Sequence, residues 1–177
     1  MNLRKVAGLV GALVVSLGIG LAGPAQAADK APAPLAAGVV NLVNNVSGKC
    51  VEVKDASKSN GARIQQWTCG SDSHRRWIAN DLGNGYVQYA NVNSGRCLQA
   101  IWGTISVTQT DCNASDQSQW WRWAPANNLG DQWLVNPTPW GDSCLALIPF
   151  SWLNGRIIGL ADCGPTNSAH LWHSVSV

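Results

Sequence analysis

Cys50, Cys97 and Cys144 stand 47 residues apart, and each is followed 15 or 19 residues later by a second cysteine, at Cys69, Cys112 and Cys163. No other feature of the chain restricts its fold as strongly. An even count without any CxxC pair suits disulfides and fits no zinc-knuckle spacing. Six cysteines allow fifteen pairings in principle. The surrounding sequence narrows them, because each first cysteine opens a similar passage: SGKCVEV, SGRCLQA and GDSCLAL. A glycine turn comes next, at Asn60-Gly61, Gly103 and Asn154-Gly155. A tryptophan then follows each second cysteine by eight or nine residues, at Trp77, Trp121 and Trp172. Three copies of one unit imply local bridges, Cys50–Cys69, Cys97–Cys112 and Cys144–Cys163. Each closure of this length contributes about 3 kcal/mol by restricting the unfolded chain.

Disulfides call for an oxidising compartment, and the N-terminus agrees. Arg4 and Lys5 precede an apolar run from Val6 to Gly23, followed by Ala25-Gln26-Ala27. This pattern is a secretory signal peptide over residues 1–27, and the expected product is secreted. Cleavage would leave 150 residues with ten basic and ten acidic side chains. That balance argues against nucleic acid or an anionic membrane as partner. No membrane insertion is expected once the signal is removed. Residues 28–37 read as a flexible Ala/Pro leader. The repeats then occupy 38–177, in copies of about 38–82, 83–127 and 128–177.

Within each copy the apolar residues form brief β-like runs separated by Gly, Asn, Ser and Asp. The first copy offers Val39 to Val43, Cys50 to Val53, Ile64 to Trp67 and Trp77 to Ala79. No stretch after the signal keeps a helical period. Twelve strands in three sets of four predict a closed all-β architecture in which three units share one core. Ten tryptophans, against one phenylalanine and two tyrosines, supply much of it. The repeated Trp77, Trp121 and Trp172 are assigned to the core, where each indole N–H needs a partner. Trp102 and Trp152, in the variable turns, are expected to be exposed.

These motifs resemble the ricin-type β-trefoil lectins, the R-type or QxW family. The signature Q-x-W stands as Gln119-Trp120-Trp121 and is altered to Arg75-Arg76-Trp77 and His170-Leu171-Trp172. The segment CVEVKDASKSNGARIQQWTC is similar to the family's motif of cysteine, carboxylate, Asn-Gly turn, glutamine, tryptophan and cysteine. The resemblance implies a β-trefoil of three four-stranded repeats with pseudo-threefold symmetry: a six-stranded barrel capped by three hairpins. It also implies a sugar site in each lobe. There a carboxylate accepts sugar hydroxyls, an aromatic ring stacks on the pyranose, and a glutamine and a polar pair add hydrogen bonds.

Carried over, the carbohydrate-binding positions of the first copy are Glu52, Gln65, Trp67, His74 and Arg75. Glu52 stands where the family usually has aspartate, and Arg75 is placed to pair with it. The second copy has Gln99, Thr108, Thr110, Ser118 and Gln119, and the third Ala146, Gly159, Ala161, Ala169 and His170. Neither keeps a carboxylate or a ring, so both are read as scaffold, and no pocket is expected in the third. The implied partner is a glycan or polysaccharide, with a protein partner as the alternative should sugar binding have been lost.

Signals for an enzyme are missing. Glu52 is the lone glutamate, no G-x-S-x-G elbow occurs, and no glycine-rich loop follows a strand. His170 and His173 lie three apart, which on a strand points them to opposite faces. Neither a metal nor a cofactor is called for.

Overall fold

A computed structural model describes residues 38–127, 129–164 and 168–177. The expected signal peptide and leader lie outside the described residues. Twelve strands appear in three sets of four. The first set is β1 (Gly38–Asn44), β2 (Cys50–Val53), β3 (Ala62–Trp67) and β4 (Trp77–Gly83). The second is β5 (Tyr86–Asn91), β6 (Cys97–Ala100), β7 (Val107–Thr110) and β8 (Arg122–Pro125). The third is β9 (Gln132–Thr138), β10 (Gly141–Leu147), β11 (Ile158–Asp162) and β12 (Leu171–Ser176). The described residues contain short 3₁₀ turns but no α-helix.

The pairings close two rings. β1 pairs with β4, β4 with β5, β8 with β9, β9 with β12 and β12 with β1. The bridge between Val87 and Trp121, the residue just before β8, completes a six-stranded barrel. The hairpins β2–β3, β6–β7 and β10–β11 form the cap. They are joined in turn by β3–β7 pairing and by the bridges Ser106–Gly159 and Gln65–Ile157. Closure of both rings leaves few unpaired edges, as expected of chains built from short strands.

Three disulfides, Cys50–Cys69, Cys97–Cys112 and Cys144–Cys163, each tie a cap hairpin to the loop that leaves it. The core repeats with the same symmetry. Trp77, Trp121 and Trp172 have no exposed surface. Their indole N–H groups donate to the carbonyls of Val51, Leu98 and Leu145, at 3.1, 3.0 and 2.8 Å. Each acceptor is the residue after a first cysteine, so one tryptophan locks each barrel strand to its own cap hairpin. Tyr89 is also fully buried, and its hydroxyl accepts from Trp123 Nε1 at 3.0 Å.

Two lobes share a further clamp. Gln66 Nε2 donates to the carbonyls of Ser151 and Leu153, and its Oε1 accepts from Ser47 Oγ. Gln109 repeats this with Ser57, Ser59 and Ser94. Each glutamine therefore fastens its lobe to the hairpin turn of a neighbour. The third lobe lacks the pair, with Gly141 and Leu160 in the corresponding places, and its link is the backbone bond from Leu160 N to Ile105 O. Gln109→Ala is expected to cost about 1–3 kcal/mol, because buried carbonyls lose their donor. A urea melt checks it, and an unchanged midpoint would show that those carbonyls find other partners.

Trp102 departs from expectation. It is half-buried against the core, and its Nε1 donates to Asn136 Oδ1 at 2.9 Å. The other turn tryptophan, Trp152, is 58% exposed, as expected.

Candidate functional site

In the first lobe the hairpin and the 3₁₀ turn Ser73–Arg75 bring together all five residues singled out from the sequence. Glu52 on β2 lies opposite Gln65 on β3 in the hairpin register. Strand alternation then places Trp67 on the same face as Gln65, next to Cys50. The 3₁₀ turn delivers His74 and Arg75 from the other side.

The carboxylate is fully engaged. Glu52 Oε1 accepts from Gln65 Nε2 at 2.7 Å. Its Oε2 accepts from Arg75 Nε at 2.7 Å and faces His74 Nε2 at 3.3 Å. Arg75 Nη1 continues to Asp72 Oδ2 at 2.6 Å. Glu52 itself is 3% exposed. The glutamate thus forms the floor of the site and stands behind Gln65 and His74. A bare aspartate would instead present an open acceptor. The longer glutamate arm is what lets the carboxylate reach the arginine.

Trp67 is half-buried at the rim. Across the lobe boundary it meets Gly155, where an added Cβ would lie 3.8 Å from the ring and 4.0 Å from Gln65 Oε1. The turn is held there by Gly155 N donating to Gln66 O and by Thr68 N donating to Asn154 Oδ1. A third-lobe turn therefore walls the first-lobe site. This contact was invisible in the sequence, because it joins residues almost ninety positions apart.

The second lobe has no ring at the corresponding place, yet it does acquire a carboxylate. Gln99 Nε2 donates to Ser118 Oγ at 3.1 Å and to Asp116 Oδ2 at 3.3 Å. Asp116 comes from the loop before the turn and also caps it, accepting from Ser118 N. Gln119, the glutamine of the Q-x-W signature, is structural. It is buried and holds Asp111 O, Asn113 N and Gln88 in place.

The third lobe corrects the sequence reading. A cavity of about 600 Å³ opens beside Ala161, Asp162, Ala169 and His170. Ala161 and Ala169 occupy the places of Trp67 and His74. The small residues Ala161 and Ala169 were the available signal. Removing large side chains from a hairpin held by a disulfide and a buried tryptophan leaves space, not a collapsed wall.

Comparison with known proteins agrees with the fold. Residues 31–106 match the family model described as ricin-type beta-trefoil lectin domain-like. The fold is a β-trefoil, and the matched part of the chain resembles the ricin-type family. The trefoil is similar to the designed threefold-symmetric protein ThreeFoil, at 24% identity and TM-score 0.70, over 78% of this chain and 99% of that one. It is also similar to an exo-beta-1,3-galactanase from Clostridium thermocellum, at 26% identity and TM-score 0.68. That match covers 79% of this chain but only 30% of the enzyme. The C-half of an earthworm R-type lectin, solved with GalNAc, matches at 11% identity and TM-score 0.63, over 79% and 99% of the two chains. Among the described residues, no group of three or more His, Cys, Asp and Glu side chains is placed to hold a metal ion.

Proposed function

We propose that the trefoil is a secreted carbohydrate-binding domain whose sugar site lies in the first lobe. The observation that supports this is the convergence of Glu52, Gln65, Trp67, His74 and Arg75 on one face. Trp67 offers an apolar surface to a pyranose ring, and Gln65 and His74 offer polar edges to its hydroxyls. Glu52 acts as the residue that positions and polarises them. A single shallow site of this kind binds weakly, so useful affinity comes from multivalent display or from tethering to another module.

A second reading is a trefoil that works through protein contacts, as an inhibitor or targeting subunit. The enclosure of Glu52 favours it, as do Trp140 and Trp152, which are 76% and 58% exposed. Binding to a glycan and polysaccharide panel separates the two. Trp67→Ala is expected to weaken sugar binding roughly tenfold or more, a loss of at least about 1.4 kcal/mol, with melting temperature little changed. Glu52→Ala should lose binding together with stability, because it leaves Arg75 beside an emptied floor. If the wild type binds no sugar, or Trp67→Ala binds as well as it does, the protein-contact reading stands.

A further inference from the structure

We propose that the third-lobe cavity is a separate ligand site for a small aromatic molecule carrying a hydrogen-bond donor. The inference does not depend on sugar binding in the first lobe. Its first support is shape. The cavity, about 600 Å³, is of the size that small-molecule sites occupy. It lies beside the place that Trp67 holds in the first lobe, because Ala161 stands there instead. The ring that the protein supplies in one lobe is left for the ligand to supply in the other.

The lining gives the chemistry. Leu147, Ile148, Pro149, Phe150 and Leu160 provide apolar walls, and Ile105 closes one side from the second lobe. Phe150 is partly exposed and is steadied by an edge-on contact with Trp152, with ring centroids 5.2 Å apart. It can present its face or edge to an entering ring. Among the described lining residues, Asp162 is the one carboxylate.

His170 is the second, independent observation. It is 4% exposed, and its Nδ1 is buried without a hydrogen-bond partner. A buried polar nitrogen left unpaired is costly and uncommon in a finished site. Burial pushes this imidazole below its ordinary pKa and favours the neutral ring, outweighing the opposite pull of the Asp162 carboxylate. With His170 neutral, the carboxylate sets the polarity of the pocket. It repels anions and accepts from a hydroxyl or amine. The ligand class is therefore phenol-like or aryl-amine-like, and neither an organic acid nor an unsubstituted sugar.

The probe is 2-naphthol, with 2-methoxynaphthalene as its counterpart lacking the donor, measured by calorimetry and by backbone NMR shifts on the full chain. One binding site is expected, with shifts centred on Leu147, Ala161 and His170. Ala161→Trp refills the cavity with the residue that the first lobe tolerates there, and is expected to weaken binding at least tenfold. Phe150→Ala, on the surface, should weaken it several-fold and serves if Ala161→Trp fails to fold. Asp162→Ala should erase the preference for 2-naphthol over the methyl ether. Trp67→Ala should bind as the wild type does. The proposal is overturned if the wild type does not bind 2-naphthol, or if the affinity survives in Phe150→Ala and in folded Ala161→Trp. Loss of binding on Trp140→Ala with Ala161→Trp unaffected would equally overturn it, by showing adsorption to exposed rings.

Discussion

Trp121→Ala is expected to lower the stability of the domain by about 3–5 kcal/mol, the range for removing a fully buried large aromatic. For a chain of this size that is a fall in melting temperature of roughly 10 °C or more. Two effects combine. The ring leaves a cavity in the core, and the Leu98 carbonyl loses the N–H that reaches it at 3.0 Å. Trp121→Phe separates them: it keeps most of the apolar contact, leaves the carbonyl unpaired, and should cost about 1–3 kcal/mol for that loss. Because Trp77 and Trp172 make the same bond in their lobes, their alanine variants should show comparable losses. Denaturation in urea, followed by far-ultraviolet circular dichroism, measures all of them. A loss under 1 kcal/mol for Trp121→Ala would mean that the barrel is not organised around this residue.

Gly159→Ala should be nearly as damaging, although it adds a single methyl group. A Cβ at this position would sit 2.3 Å from the carbonyl oxygen of Ile105 and 3.0 Å from Ile148 Cδ1. The first contact is with backbone, which cannot rotate away. That same carbonyl accepts the bond from Leu160 N that joins the second lobe to the third. Relief of the clash therefore breaks the link, and the expected cost lies near the upper end of the usual overpacking range, about 3 kcal/mol. Gly155→Ala provides the contrast. Its surroundings are open at 3.8 Å and beyond, and its penalty comes from a φ of 77°. That conformation costs an ordinary residue about 1–2 kcal/mol. If the two variants melt together, the Ile105 contact is not the constraint proposed.

Gly159 also shows why part of the site escaped the sequence. Its counterpart in the first lobe is Gln65, so the sequence alone reports a lost ligand-binding side chain. In the structure the glycine is required by the close approach of another lobe. The second-lobe carboxylate escaped for a similar reason. Asp116 sits outside the motif position and reaches Gln99 only through the geometry of the turn.

The periodic landmarks were sufficient to determine the disulfide pairing, the three four-stranded lobes and the shared tryptophan core. Each of these rests on contacts within one repeat, or on a contact made three times over, and repetition writes such contacts into the sequence as fixed spacings. The resemblance to the ricin-type lectins, and not the periodicity, nominated Glu52, Gln65, Trp67, His74 and Arg75, which the first lobe does bring together. Arg75 does pair with Glu52, as its position in the sequence suggested, but tertiary structure alone decided the rest: the near-complete burial of Glu52 with His74 beside it, the anchoring of Trp102 on Asn136, the wall that Gly155 builds beside Trp67, and the cavity of the third lobe. Those features depend on how long side chains turn and on where one lobe meets the next. Each occurs in only one place, so no periodicity announces it.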